Sequence, residues 1–256
     1  MQGVKGLILR KGINNFLVTA YNNVVEEITI TQNGFNGFYM SYLYGKVRER
    51  FSFLPAVCDM QKEGDCTRIA FKTERAYCPY VRRFTEENIA DVIAVGYKYG
   101  YLNERITLPL LDKRQKRLLI TSLVAADLQE DRAFVARRIS GFERYCLDGV
   151  YHFRLRELKE RWEEIAQYVP TDMGTASLEN FLRFVAEDGD GKVFLKEGKV
   201  YDESYRLLSR SSLTGEVSPV GEILLGGAER VYCFGETDQE TAAFLKKYYR
   251  EKAVFY

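Results

Sequence analysis

Leu147, Tyr151, Leu155, Leu158, Trp162, Ile165 and Val169 recur at spacings of three and four. That period puts them on one face of a helix. Arg156, Glu157, Lys159, Glu160, Arg161, Glu163 and Glu164 cover the remainder. The pairs Arg156/Glu160 and Glu157/Arg161 place opposite charges four residues apart, where helix side chains meet. The pattern predicts one long packing helix from about Phe142 to Val169, stopped by Pro170-Thr171. Phe153, Leu155, Leu158 and Trp162 are expected in the core.

Helices are predicted on both sides of it. Thr85 reads as an N-cap, and Asp112 with Gln115 as a capping box ahead of KRLLITSLVAADL. Asp127 to Gly141 continues helical, and Ser177 opens LENFLRFVAED. The last third changes character. Gly189-Asp190-Gly191 is a turn, a hairpin closes at Glu197-Gly198, and Ser218-Pro219 starts a short helix. RVYCF reads as a strand, Thr237 and Glu240 as a second capping box, TAAFLKKYYREK as a helix and AVFY as a strand. A strand–helix–strand unit favours parallel pairing.

The first 80 residues are less regular. Val4 to Leu9 reads as a strand, and Ile13 to Val25 fits a helix or a strand equally well. Glu27 to Thr31 and Gly37 to Tyr44 read as extended on either side of the turn-forming Asn33-Gly34. The reading is an α+β fold with a largely helical middle and α/β segments at both ends. Its regions are 1–80, 85–185 and 186–256, which a chain of 256 residues can also hold as one composite domain.

The charge balance of 37 basic against 36 acidic residues, net +1, gives no general pull toward nucleic acid or acidic membranes. No apolar run reaches membrane-spanning length, and the four apolar residues near the N-terminus are too few for a secretory leader. Cys58, Cys66, Cys78, Cys146 and Cys233 are odd in number and lack a CxxC, so reduced thiols in a cytoplasmic protein are expected, with no disulfide framework or zinc site.

Candidate chemistry is sparse. His152 is the only histidine; Asp148 and Arg156 flank it at helical spacing and Cys146 is on the same predicted helix, a pattern that fits a local charge partner better than a general base. Asp188, Asp190, Gly191 and Glu197 match four positions of a calcium loop, but Ala186 stands where the first carboxylate is needed, so a plain Asp-Gly turn is favoured. No phosphate-loop glycine pattern occurs, and Gly226-Gly227 reads as a helix C-cap. No cofactor is expected. Lys113, Arg114, Lys116 and Arg117 form a basic contact patch at a helix start, with Arg82-Arg83 and Arg137-Arg138 as further pairs. A solvated helix face is favoured there over a nucleic-acid patch. The many tyrosines are assigned to core and interfaces rather than to base stacking.

Three segments carry a family likeness. They are Gly149-x-x-x-Phe153-Arg154-Leu155, Glu179-Asn180-Phe181-Leu182-Arg183-Phe184-Val185 and the closing RVYCFGETDQETAAFLKKYYREKAVFY. Together, over about residues 85–256, they resemble the YtxC-like family of sporulation proteins. Val150 stands where that family often has Phe, and the linker between the first two segments is shorter here. The resemblance implies endospore-forming bacteria, a cytoplasmic location and a sporulation-associated role, and it implies no catalytic residue. The signature positions are Gly149, Phe153, Arg154, Leu155, Glu179 and Arg183, and Arg154 is expected to clamp a carboxylate such as Glu179 or Asp202. The leading expectation is a protein acting through contacts with other proteins. The alternatives are a hydrolase or transferase with an unrecognised site, or weak nucleic-acid binding through residues 113–117.

Overall fold

The computed structural model describes residues 25–34 and 37–256. The expected strand at Val4–Leu9, and all but the last residue of Ile13–Val25, lie outside them. The fold is α+β, with two sheets and helices throughout. Its contacts group into two units, residues up to Ile89 with Ile139–Val150, and Ala90–Arg138 with Tyr151–Tyr256. This differs from the three stretches read along the chain. Composition marks where helices replace strands, whereas contact units follow strand pairing, which draws residues 144–146 back to the first sheet.

In the first unit, β1 (Val25–Asn33) pairs antiparallel with β3 (Cys66–Glu74) and parallel with β4 (Arg144–Cys146). The hairpin partner β2 (Ala56–Glu63) lies beyond β3, giving the order β2-β3-β1-β4. Side chains alternate between sheet faces. Ile28, Ile30, Ile69 and Phe71 are buried on one, while Glu27, Arg68 and Lys72 point the other way and pair with each other. Residues 37–44, expected to be extended, instead begin helix α1 (Phe38–Arg50). Met40, Leu43 and Val47 are its buried residues, and their spacing of three and four outweighs the local aromatic content. Gly34, at φ +101, turns the chain after β1 and donates its N–H to the Asp65 carbonyl in the β2–β3 turn. Helix α2 (Cys78–Asp91) starts well before Thr85, which is a buried residue of the helix and not its cap.

The second unit holds a six-residue π-helical stretch, Val92–Tyr97, followed by α3 (Lys98–Arg105), α4 (Lys113–Ala126) and α5 (Leu128–Ile139). Asp112 and Gln115 form the predicted reciprocal capping box on α4. The single helix expected over 142–169 is three elements: β4, α6 (Leu147–Arg154) and α7 (Arg156–Tyr168). Leu155, at φ −118 and ψ 33, breaks the helix. The apolar stripe keeps its phase across the break, and Phe153, two residues from both Tyr151 and Leu155, lies off it. Leu155, Leu158 and Trp162 are buried as expected, but Phe153 is 85% exposed.

Helix α8 (Thr175–Glu187) leads to the second sheet, order β6-β5-β7-β8. Strand β5 (Gly191–Lys196) turns through Glu197 (φ 51) and Gly198 (φ 72) into antiparallel β6 (Lys199–Tyr201), the two positive φ angles of a tight hairpin. Ser218 caps α9 (Pro219–Leu225), with Pro at the first turn and Gly226 closing the helix. Strand β7 (Ala228–Phe234), helix α10 (Gln239–Tyr248) and strand β8 (Ala253–Phe255) make the predicted unit with parallel strands. The α10 cap is Asp238, which accepts from the Thr241 N–H, one residue later than the Thr237 expected from sequence. Among the described residues no helix is long and apolar enough to cross a membrane.

Candidate functional site

Strands β5, β6 and β7 bury Val193, Leu195, Val200, Val231 and Cys233 in a core with Ala186, Ile223, Leu224 and Leu245. The alternation that sends these inward sends Lys192, Phe194, Lys196, Lys199, Tyr201, Arg230, Tyr232 and Phe234 outward. Cross-strand register arranges them in rungs. Lys192 is opposite Arg230, Phe194 lies between Tyr201 and Tyr232, and Lys196 lies between Lys199 and Phe234. The outer face carries a row of rings flanked by cations.

The rings form a continuous set. Phe194 stacks on Tyr205 at 4.7 Å and 13°, and on Tyr232 at 5.6 Å and 26°. Phe234 lies 6.3 Å from Phe194 and stacks on Tyr256 at 5.0 Å and 7°. Tyr205 and Tyr256 at the two ends are 71% and 69% exposed. Tyr205 is held in place at a cost. Its φ of 56° is in the left-handed region, which disfavours a side chain by roughly 1–2 kcal/mol. The surrounding loop offsets it: Asp202 accepts the Ser204 and Arg206 N–H groups and the Arg206 guanidinium, and its own carbonyl accepts the Tyr205 N–H. Such strain, held by the loop around it, is the kind found at functional sites.

The first unit holds a groove of about 930 Å³ over the polar face of its sheet, lined in part by Glu26, Glu27, Arg68, Arg82, Arg144 and Cys146. Its charges are largely committed to neighbours. Arg68 is 2.5 Å from Glu27 and Arg82 donates to the Phe142 carbonyl. Burial would raise the Glu27 carboxyl, but hydrogen bonds from Thr29 and Arg68 outweigh it and hold it below the usual carboxylate range. That makes Glu27 a poor base at neutral pH. Cys146 is exposed, while Asp148 accepts the Asn33 N–H at 2.7 Å.

A second polar centre, built on the buried Lys98 and Asp131, lies in the other unit beside the π-helical stretch. Lys98, with no exposed side-chain surface, lies 2.9 Å from Asp131 and 3.2 Å from Asp127. Asp131 also accepts the Trp162 indole N–H at 2.9 Å. Nearby, Asp91 ion-pairs with Arg132 at 2.6 Å and Arg210 at 3.1 Å. π-Helical turns are frequent at functional sites, but here the ammonium is closed off from any solute, and the cluster serves as internal structure.

The residues singled out from sequence are dispersed. Of the basic patch, Arg114 pairs with Glu240 at 2.6 Å, Arg117 with Glu216, and Lys116 donates to the Asn103 carbonyl at 3.0 Å, while Lys113 is exposed. Of the signature residues, Gly149 is in α6, where a Cβ would meet Cys146 Sγ at 3.3 Å, and Leu155 is the buried helix break. Arg154 ends α6. Glu179 binds Lys247 at 2.6 Å and approaches Arg183 at 3.9 Å, and Asp202 binds Arg206. The Lys247 hydrogen bond holds the Glu179 carboxyl below its usual range. Asp188 ends α8, Asp190 donates its N–H to Gly227, and Glu197 sits on the hairpin tip, so the calcium-loop carboxylates are spread over three elements. Gly189 passes so close to Ala228 that a Cβ would stand 2.6 Å from its carbonyl.

The aromatic face places Tyr205, Tyr232 and Tyr256 with Phe194 and Phe234 in one surface row. The signal was present: Lys192-Val193-Phe194-Leu195 and Arg230-Val231-Tyr232-Cys233 share the order basic, apolar, aromatic, apolar. Which of the two alternating sets faced solvent depended on which side the helices covered. Compared with protein-family models, curated proteins and solved structures, the chain finds no match.

Proposed function

We propose that this protein is a non-catalytic binding protein that recognises another macromolecule through a preformed surface, in the cytoplasm of endospore-forming bacteria. One observation carries the binding reading: the solvent-facing row of stacked rings on β5–β8, anchored by the strained Tyr205. Clustered aromatic rings at a rigid surface supply contact area at low conformational cost. The groove of the first unit supports catalysis poorly, because Arg68, Arg82 and Glu27 are already paired. The sporulation setting rests on the resemblance carried by Gly149, Phe153, Arg154, Leu155, Glu179 and Arg183.

The test is crosslinking and co-purification of the full chain from sporulating cells, with Phe234→Ala and Tyr205→Ala as face variants and Cys146→Ala as a groove variant. The expected result is a partner held by the wild type and the groove variant and lost from the face variants. A partner or turnover that depends on Cys146 and ignores the face would overturn the reading.

A further inference from the structure

We infer that the outer face of the β5–β8 sheet binds single-stranded nucleic acid, with bases stacking on Tyr205, Phe234 and Tyr256 and phosphates meeting Lys192, Lys196, Lys199 and Arg230. The inference rests on the binding-protein reading and names the class of partner.

Charge is the first argument. Lys192 stands directly across from Arg230, and Lys196 across from Lys199. Like charges directly opposed on neighbouring strands destabilise a sheet. Folding alone gives no reason to place two such pairs on the two flanks of one aromatic row. A bound polyanion turns both from a cost into a gain. The nearby carboxylates lie outside the rungs that carry these cations. Asp202 is taken by its own loop and Arg206, Glu203 accepts the Lys192 backbone N–H at the sheet edge, Glu197 is on the hairpin tip, and Glu229 is the extra residue of the β7 bulge. The chain's net charge is only +1, so this concentration is local.

Ring geometry is the second. Every base has a π-face, so stacking on aromatic side chains beside a cationic track binds single strands with little regard to sequence. Duplexes hide those faces, whereas single strands can splay their bases onto rings. The most exposed ring faces lie at opposite ends of the row, on Tyr205 and Tyr256, with Phe194 and Tyr232 half-buried behind them. The path therefore runs across the strands. A protein partner fits less well, because lysine is depleted at protein interfaces while aromatics are enriched, and here lysines rim the rings.

Four phosphate contacts predict a slope of log K on log salt of roughly −3, or about a 50-fold loss of affinity from about 0.05 to 0.2 M salt. Removing one stacking ring lowers affinity by roughly tenfold or more.

The experiment is fluorescence anisotropy of labelled 12-nucleotide single-stranded DNA and RNA, and of a duplex of the same sequence, titrated with the full chain. Phe234→Ala, Tyr205→Ala and Lys196→Glu are the face variants, each checked for an unchanged melting transition, and Lys113→Ala/Arg114→Ala is the control. Expected are binding of both single strands ahead of the duplex, a tenfold loss in Phe234→Ala, a shallower salt slope in Lys196→Glu, and no change in the control. Binding lost in the control and kept in the face variants would overturn the site. If no oligonucleotide binds at about 0.05 M salt while the face variants still lose a cellular partner, the nucleic-acid inference fails and the binding-protein reading stands. If neither depends on the face, both fail.

Discussion

Asp131→Asn should destabilise this protein more than its size suggests. The substitution keeps side-chain volume and removes one charge. In the native structure Asp131 Oδ2 is 2.9 Å from the Lys98 ammonium and 2.9 Å from the Trp162 indole nitrogen. The Lys98 side chain is wholly buried and that of Asp131 is 2% exposed, so water cannot replace the lost carboxylate. Removing one member of a buried ion pair typically costs about 3–5 kcal/mol. Asp127 remains 3.2 Å from Lys98 but is 40% exposed, so it compensates partly and the expected loss is near the lower end, about 3 kcal/mol. At roughly 2–4 °C per kcal/mol for a domain of this size, the melting temperature should fall by about 6–12 °C. Urea unfolding followed by fluorescence suits the question, because Trp162 is the only tryptophan and reports from inside the cluster. The double variant Lys98→Met/Asp131→Asn removes both charges while the introduced amide oxygen can still accept the Trp162 indole N–H, so it should recover part of the loss. A loss below about 1 kcal/mol in Asp131→Asn, or a double variant worse than the single, would refute a buried pair whose ionic partners depend on each other.

Three further outcomes follow from the same geometry. Phe153→Ala should change stability by less than about 0.5 kcal/mol because the ring is exposed, whereas Leu155→Ala, two residues on, should cost about 2–5 kcal/mol; equal effects in denaturant titrations would return Phe153 to the core. Burial raises the Glu222 carboxyl against the hydrogen bonds from Ser211 and Arg210. A raised folded-state pKa means the native state holds that proton more tightly, so this contribution is fully present below the unfolded value, about 4.3, and is lost as pH rises through the folded one. The stability of the wild type relative to Glu222→Gln should therefore decline with rising pH above about 4, and an increase over that window would contradict the assignment. Alkylation followed by mass spectrometry should label exposed Cys146 first, and Cys58 slowly, since burial and then Asp59 push its thiol up to about 11. Buried Cys78 and Cys233 should react only on unfolding, and a Cys58 as fast as Cys146 would show the β2 environment to be open.

Local rules carried much of the fold. The Asp112/Gln115 box, the Ser218-Pro219 start, the Glu197-Gly198 hairpin and the parallel β7–α10–β8 unit were legible because each depends on residues within a few positions of one another. Where tertiary pairing competed, local reading failed. Arg144–Cys146 left the predicted long helix because β1 offered a strand edge more than a hundred residues away in sequence; the helix also breaks at Leu155, and Phe153, off the apolar stripe, faces solvent. The candidate site belongs to the same class. Alternation along Lys192–Lys196 and Arg230–Phe234 determined that the rings would share one side of a sheet. Only the tertiary structure decided that helices α8, α9 and α10 would cover the valine and leucine side, that register would bring Lys192 to Arg230 and Phe194 to Tyr232, and that Tyr205 would be strained into place beside them. Period two is symmetric between faces, so a sequence can state which residues travel together; which side meets water is set by what packs on the other.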